Sequence, residues 1–517
     1  MASTPYGSSK SGIKGDGMTA IQVTPSGKLR TLLSRSADVV GYDFRNGSVY
    51  TMHDHNRIAR LVEGYDGNVY LYNPVSQWES NSWLKLDKAN GDTLVARFPQ
   101  VLYTEDGENY YAFPLFYDAK ADTYAPKELD ADNYLAESRF VYKDGVLTQL
   151  DDALIGQVMD NYQWMDAGDS HLVVAPVDIA QNKLPDGLAD KLSTYIISYD
   201  KGGSDPVSVV VKGVTDGGKV YLSNPLSKDN SQWIIGQING DKAVFTTNQY
   251  LGPDTVKTNY HQFFHAASFT RKDSVDYEGN NVFHYDYAEQ PSVTLSYDAA
   301  QDEYVAQANE AFVISKGADV KGYAAPAFYA YQEKAATPKD PYFSDFQMYN
   351  NDYGYGIFNF VLPTLDTNKK YLNPDHLYYC FYLDDSTEPC YLYKTDYIKM
   401  QADSMNIFPA NYSDGYDMAP LDENVHQVYY YFADFDRLGV QSIYRAAGEE
   451  RRSNIAWITY RQATGVEKVT TDAVDQPAAV EYYDLQGRRL DHPASGVVIR
   501  RARYANGRVV VSKMIRK

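Results

Sequence analysis

Short runs of β-branched and aromatic residues alternate along this chain with pairs of turn residues. That alternation constrains the fold more than any other feature. Arg45-Asn46-Gly47, Tyr65-Asp66-Gly67-Asn68, Lys143-Asp144-Gly145, Asp216-Gly217-Gly218 and Asn239-Gly240-Asp241 are examples. Gly, Asn and Asp accept the positive φ that a tight hairpin turn requires. The runs between them, such as Leu377-Tyr378-Tyr379-Cys380-Phe381-Tyr382-Leu383 and Val428-Tyr429-Tyr430-Tyr431-Phe432, suit strands. Tyr dominates the aromatics, 48 against 20 Phe and 5 Trp, and its apolar ring with a wet hydroxyl fits a half-buried pleated surface. Helical periodicity is confined to 152–159 and 188–196, where short helices are expected. The sequence predicts an all-β chain.

Self-comparison shows an internal repeat. Val69-Tyr70-Leu71-Tyr72-Asn73-Pro74-Val75-Ser76 matches Val220-Tyr221-Leu222-Ser223-Asn224-Pro225-Leu226-Ser227 at six of eight positions. The match continues collinearly: Trp83 with Trp233, Gly91-Asp92 with Gly240-Asp241, and Gln100 with Gln249. Val-Tyr-Leu reads as a strand, Asn-Pro as its end (Pro cannot donate to a ladder), and Trp as the opening of the next strand. These repeated residues read as scaffold rather than as a duplicated site.

At 517 residues the chain has room for three or four domains. The boundaries expected are a flexible lead-in over 1–20, β module A over 21–175 and β module B, its repeat, over 176–320. An Ig-like β-sandwich follows over 321–460, then a linker over 461–480 and a small β tail over 481–517. The net charge of −20 repels phosphate backbones and excludes general nucleic-acid binding. The tail is the exception, with nine basic against three acidic residues. No apolar run is long enough for a transmembrane helix. The opening MASTPYGSSKSGIKGDG has no apolar core of a signal peptide.

The tail reads Tyr483-Asp484-Leu485-Gln486-Gly487-Arg488, then Gly496-Val497-Val498-Ile499 and Asn506-Gly507-Arg508-Val509-Val510-Val511. This resembles the C-terminal sorting domain of the type IX secretion system of Bacteroidetes. The segment itself reads as three short strands with hairpin turns, and the resemblance implies export across the outer membrane with the secretion machinery as partner. Much of 40–460 is similar to uncharacterised multi-domain β-rich proteins of Bacteroidales. Its pattern runs from Val220 through Trp233 and Gly240-Asp241 to Gln249, and later through Phe435-Asp436-Arg437-Leu438-Gly439. That likeness implies a secreted or outer-membrane-surface location and carries no catalytic residues.

Catalytic motifs such as H-E-x-x-H, C-x-x-C, G-x-S-x-G and the P-loop do not occur. His53-Asp54-His55 would place two imidazoles on one strand face, a weak metal signal. His261 and His265 sit in a Phe-rich strand-like segment and read as core. Asp130-Ala131-Asp132, Asp384-Asp385, Asp414 with Asp417, and Asp434 with Asp436 read as solvated turns. Ca²⁺ is the one cofactor they could take. Tyr349, Tyr353 and Tyr355, with Tyr412 and Tyr416, lie in Tyr/Asn/Gly loops of the kind that dock sugars and peptides on rigid rings. Cys380 and Cys390 are equidistant from Asp385 in a hairpin-like segment, close enough for a disulfide.

The reading that follows is tandem β modules, an Ig-like sandwich and a sorting-type tail. The function is that of a secreted or surface-attached binding or structural protein for a glycan or host protein. A carbohydrate-active or other hydrolase with carboxylates hidden among 68 acids is the alternative.

Overall fold

The computed structural model describes residues 5–459 except 16, 204, 228–230, 257, 277–280, 318, 351, 385, 423, 433 and 434. In the tail it describes 477–483, 489–490, 496–504 and 509–516. Among these residues there is no α-helix; two 3₁₀ turns accompany antiparallel strands. No helix is long and apolar enough to cross a membrane. The chain divides into two units. One comprises Met1–Ser193, Val211–Phe269 and Tyr287–Ala327; the other comprises Thr194–Val210, Thr270–Asp286 and Phe328–Lys517.

A closed barrel of eight antiparallel strands lies in the first unit. Gly27–Asp43 pairs Ser48–Gly64, which pairs Val69–Tyr72, then Trp83–Lys88, Thr93–Arg97 and Glu137–Lys143. Val146–Gln149 and Trp164–Pro176 follow, and the last returns to Gly27–Asp43. Closure leaves no free edge in the ring. Bulges at Arg30/Leu33 and Arg35/Ala37 bend Gly27–Asp43. Its Leu33–Ser36 stretch therefore faces Val173–Pro176, whereas Asp38–Gly41 faces Ala167–Ser170. Beyond that bend, Trp164–Pro176 continues through Leu154–Val158 and Glu108–Asp118 to Gln100–Glu105. Leu33, Val40, Leu61, Leu86, Phe113, Phe140 and Leu154 share one buried core. Each such side chain contributes about 1.5–3 kcal/mol through burial.

Segments expected as helix adopt other structure. Leu154–Val158 is a strand buried on both faces, which erases a period-2 pattern and imitates helix. At 188–196 only Ala189–Lys191 turns, as a 3₁₀ helix, before Ser193–Asp200 extends. Within the expected flexible lead-in of 1–20, residues 7–13 are docked. Gly7–Ser9 pairs Asn133–Leu135, and Ile13 is buried in the barrel core.

The repeated residues perform the same tasks twice. In the first copy Gln100 accepts from Lys85 N and donates to Lys85 O and Arg97 O. In the second, Gln249 accepts from Ile235 N and donates to Ile235 O and Thr246 O. Asn73 N donates to Ser82 O, as Asn224 N donates to Gln232 O. Trp83 and Trp233 each open a strand and are buried. Strand pairings recur too. Thr93–Arg97 pairs Glu137–Lys143 as Lys242–Thr246 pairs Ser292–Asp298. Leu154–Val158 pairs Glu108–Asp118 as Glu310–Lys316 pairs Tyr260–Val275.

The second unit contains two facing antiparallel sheets. One is ordered Tyr342–Asn350, Tyr355–Val361, Val425–Tyr430, Met418–Asp422. The other runs Phe408–Pro409, Leu377–Leu383, Arg437–Ala446, the last pairing both Glu449–Arg452 and Ala456–Thr459. Aromatic contacts fill the space between them. Phe358 meets Phe381 with centroids 5.4 Å apart, and Phe360 meets Tyr379 at 5.0 Å. The tail strand Pro477–Tyr483 pairs both Arg489–Leu490 and Gly496–Tyr504, and the latter pairs Val509–Arg516. Among the described residues that gives four strands, where three were expected.

Candidate functional site

The outer face of the Tyr342–Asn350 sheet carries the aromatic surface. Along Tyr355–Val361 and Val425–Tyr430 buried and half-buried residues alternate strictly. Phe358, Phe360, Val428 and Tyr430 point to the core, which turns Tyr355, Ile357 and Tyr429 outward. Ile357 stands opposite Tyr429 in the ladder. Tyr355 lies 5.3 Å from Tyr429 and 6.3 Å from Tyr353 between ring centroids. Tyr353 is 37% exposed, in a turn closed by Gly354 N donating to Asn350 O at 2.8 Å. Further along the same face Gln427 Nε2 donates to Asn359 Oδ1 at 3.2 Å.

Tyr416 stands at the border of this face, 67% exposed. Its loop is held by Asp414, whose Oδ1 accepts from the backbone N–H of Tyr416, Asp417 and Met418 at 2.8–3.0 Å. Asp417 is buried and accepts from the Tyr431 hydroxyl. Burial pushes its carboxyl up, and the Asp414 charge adds to that. Burial likewise pushes the Tyr429 hydroxyl up, with Tyr355, Asp417 and Tyr416 adding to it. Tyr429 therefore remains a neutral phenol at physiological pH. This surface offers flat rings and neutral hydroxyls, which suits binding of neutral rings or extended chains.

The structure gathers Tyr353, Tyr355 and Tyr416 at this surface and places the other two tyrosines differently. Tyr349 packs toward the core, 6.4 Å from Tyr430. Tyr412 packs against Phe408 at 5.3 Å. Tyr429 was not singled out by sequence reasoning. The signal that finds it is the one-in-two alternation of Val425–Tyr430, obscured by three consecutive tyrosines.

Cys380 and Cys390 are both free thiols. Cys390 N donates to Phe381 O at 2.8 Å, so the backbones are adjacent. Cys380 packs with Tyr382 and Ile443, whereas Cys390 packs against the core between the sheets. Burial raises both thiol pKa values, that of Cys390 to about 12.

His53 and His55 share a strand face with rings 6.3 Å apart. His53 Nδ1 pairs with Asp38 Oδ1 at 3.0 Å, and His171 Nδ1 takes the other Asp38 oxygen at 2.9 Å. His261 is buried between Tyr250 and the Leu33 carbonyl. Among the described residues no group of three His, Cys, Asp or Glu side chains could hold a metal. Asp130 caps its own turn, accepting from Asp132 N and Asn133 N. Asp384 similarly accepts from Asp436 N and Arg437 N. Asp385 and Asp434 lie outside the described residues, as do Asp484, Leu485, Gln486, Gly487, Arg488 and Gly507 of the tail motif. Tyr483 and Gly496 fall at strand ends.

No protein-family model matches the chain, and no curated protein does. A solved structure, Tp47, the 47-kilodalton lipoprotein of Treponema pallidum, is similar at 9% identity with a TM-score of 0.15. The match covers 49% of this chain and 86% of that one. At that score the likeness assigns neither fold nor function.

Proposed function

We propose that this chain is an exported binding protein of the cell surface, engaging a glycan or host protein through the aromatic face of an Ig-like sandwich. The observation that carries the reading is the line of Tyr353, Tyr355 and Tyr429 on one sheet surface. Rings fixed on strands lose little conformational freedom when a ligand docks, which favours recognition. We read the repeated Gln and Asn clamps as the marks of two related β modules that serve as scaffold. The basic tail with its YDLQGRR segment supports a type IX sorting signal and a secreted or outer-membrane-surface location.

The test is a screen of the full chain against immobilised glycans and matrix proteins, with product release followed in the same wells. Retention without turnover is expected. The triple variant Y353A/Y355A/Y429A should bind at least tenfold more weakly. Unchanged binding by that variant, or released sugar or peptide, would overturn the reading.

A further inference from the structure

A second aromatic surface lies in the unit that holds the barrel, and nothing above uses it. Trp78 is 45% exposed, in the turn that follows Asn73-Pro74-Val75-Ser76. Its indole stacks on Tyr103 with centroids 5.7 Å apart and planes 19° from parallel. Tyr103 in turn stacks on Tyr110 at 4.6 Å and 10°. These three rings form a ladder with Trp78 at its outer end. One indole face is taken by Tyr103, which leaves the remaining exposure to the other face and the edge.

The ladder is held rigidly. Ser76 donates through both N and Oγ to the buried Asp169, at 3.0 and 2.9 Å. Arg35 pairs with the same carboxylate and donates to the carbonyls of Asn73 and Pro74. Trp78 N donates to Val75 O. From below, the buried Gln157 donates to the Tyr103 hydroxyl at 2.6 Å. Burial raises the pKa of that phenol to about 12, so it keeps its proton and can donate it outward. In the residue before Trp78, Gln77 Nε2 donates to the hydroxyl of Tyr50, itself 43% exposed. Glu79 follows Trp78 in the chain and is exposed, and the carboxylate of Glu105 acts on Tyr103, so the acidic groups near the ladder disfavour an anionic ligand.

We propose that the Trp78–Tyr103–Tyr110 ladder is a carbohydrate-stacking site that takes a pyranose ring of a neutral polysaccharide. The C–H face of such a ring lies flat on an aromatic face, and its hydroxyls project sideways to donors and acceptors. The exposed indole supplies the flat face, and the Tyr103 hydroxyl of the same stack supplies a polar partner. A rigid ring also reduces the ordering cost of a weak contact. The inference stands apart from the sandwich surface, whose residues are not involved.

The test is affinity electrophoresis of the full chain through gels containing xyloglucan, mixed-linkage β-glucan or mannan. Three variants accompany it: W78A, W78F and the sandwich variant Y355A/Y429A. Trp78 is about half exposed and touches one ring, so W78A should melt within a few degrees of the parent chain. Retardation of the parent is expected in at least one polysaccharide. W78A should lose it by tenfold or more in apparent Kd, W78F should keep part of it, and Y355A/Y429A should leave it unchanged. No retardation of the parent in any gel overturns the proposal, as does W78A retarded like the parent. Loss confined to Y355A/Y429A would also overturn it while supporting the sandwich reading.

Discussion

At the scale of single residues, the buried polar groups carry the strongest consequences. His261 Nε2–H donates to the Leu33 carbonyl at 2.9 Å, and Nδ1 accepts from the Tyr250 hydroxyl at 2.7 Å. The tautomer follows from these partners. Burial lowers its pKa from 6.5 despite the carbonyl, and His426 is lowered in the same way. The unfolded chain therefore binds protons near pH 6.5 that the folded one refuses. Their contribution is fully present above that pH and is lost as pH falls from there through the lower folded-state pKa. Urea midpoints of the full chain should drop between pH 7 and pH 5. H261Q, which keeps a donor but does not titrate, should have a shallower drop; an equal slope would remove His261 from the account. Arg35 and Asp169 form a buried ion pair in which Asp169 has no exposure. Removing one partner strands the other charge in the core, at a cost of about 3–5 kcal/mol. D169A should lose that much in the unfolding transition of its unit, whereas a loss below ~1 kcal/mol would mean that water reaches Arg35.

At the scale of elements, hairpins were legible and their long-range assembly was not. Asp144-Gly145 and Gly217-Gly218 occupy their turns with positive φ at both residues, as those residue types require. The repeat was legible because Gln100 and Gln249 satisfy matching backbone groups in the two copies. Q249A would leave Ile235 N–H and C=O without their side-chain partner, and about 1–3 kcal/mol should be lost on denaturant unfolding. Barrel closure was not legible, since it depends on Trp164–Pro176 meeting Gly27–Asp43 more than a hundred residues away. The aromatic surface was half legible. Tyr353 and Tyr355 follow from loop composition, but only strand phase decides that Tyr349 turns inward and Tyr429 outward. Gly356 marks the same phase from the inner side. A Cβ there would meet the Tyr430 ring at 2.1–2.3 Å. G356A should thus cost about 1–3 kcal/mol by overpacking, with the sandwich transition shifted and the barrel transition unmoved.

At the scale of the whole molecule, charge and composition separate the tail from the rest. The chain carries −20 overall, yet its last 37 residues hold nine basic and three acidic side chains. Tail strands pair among themselves: Gly496–Tyr504 lies between Pro477–Tyr483 and Val509–Arg516. A sheet that satisfies its own ladder needs no strand from outside, and among the described residues the cores of the barrel and the sandwich are formed by side chains before 460. Deletion of 461–517 should therefore leave the thermal transitions of the remaining chain within about a degree of the parent, since a loss of 1 kcal/mol would move them by roughly 2–4 °C. If the tail is an address for type IX export, the same deletion expressed in a Bacteroidetes host should abolish surface display while the protein accumulates in folded form inside the cell. Display of the truncated chain at the parental level would reject the sorting role. A fall in thermal stability would instead show that the tail belongs to the folded body, and that its basic charge serves packing rather than export.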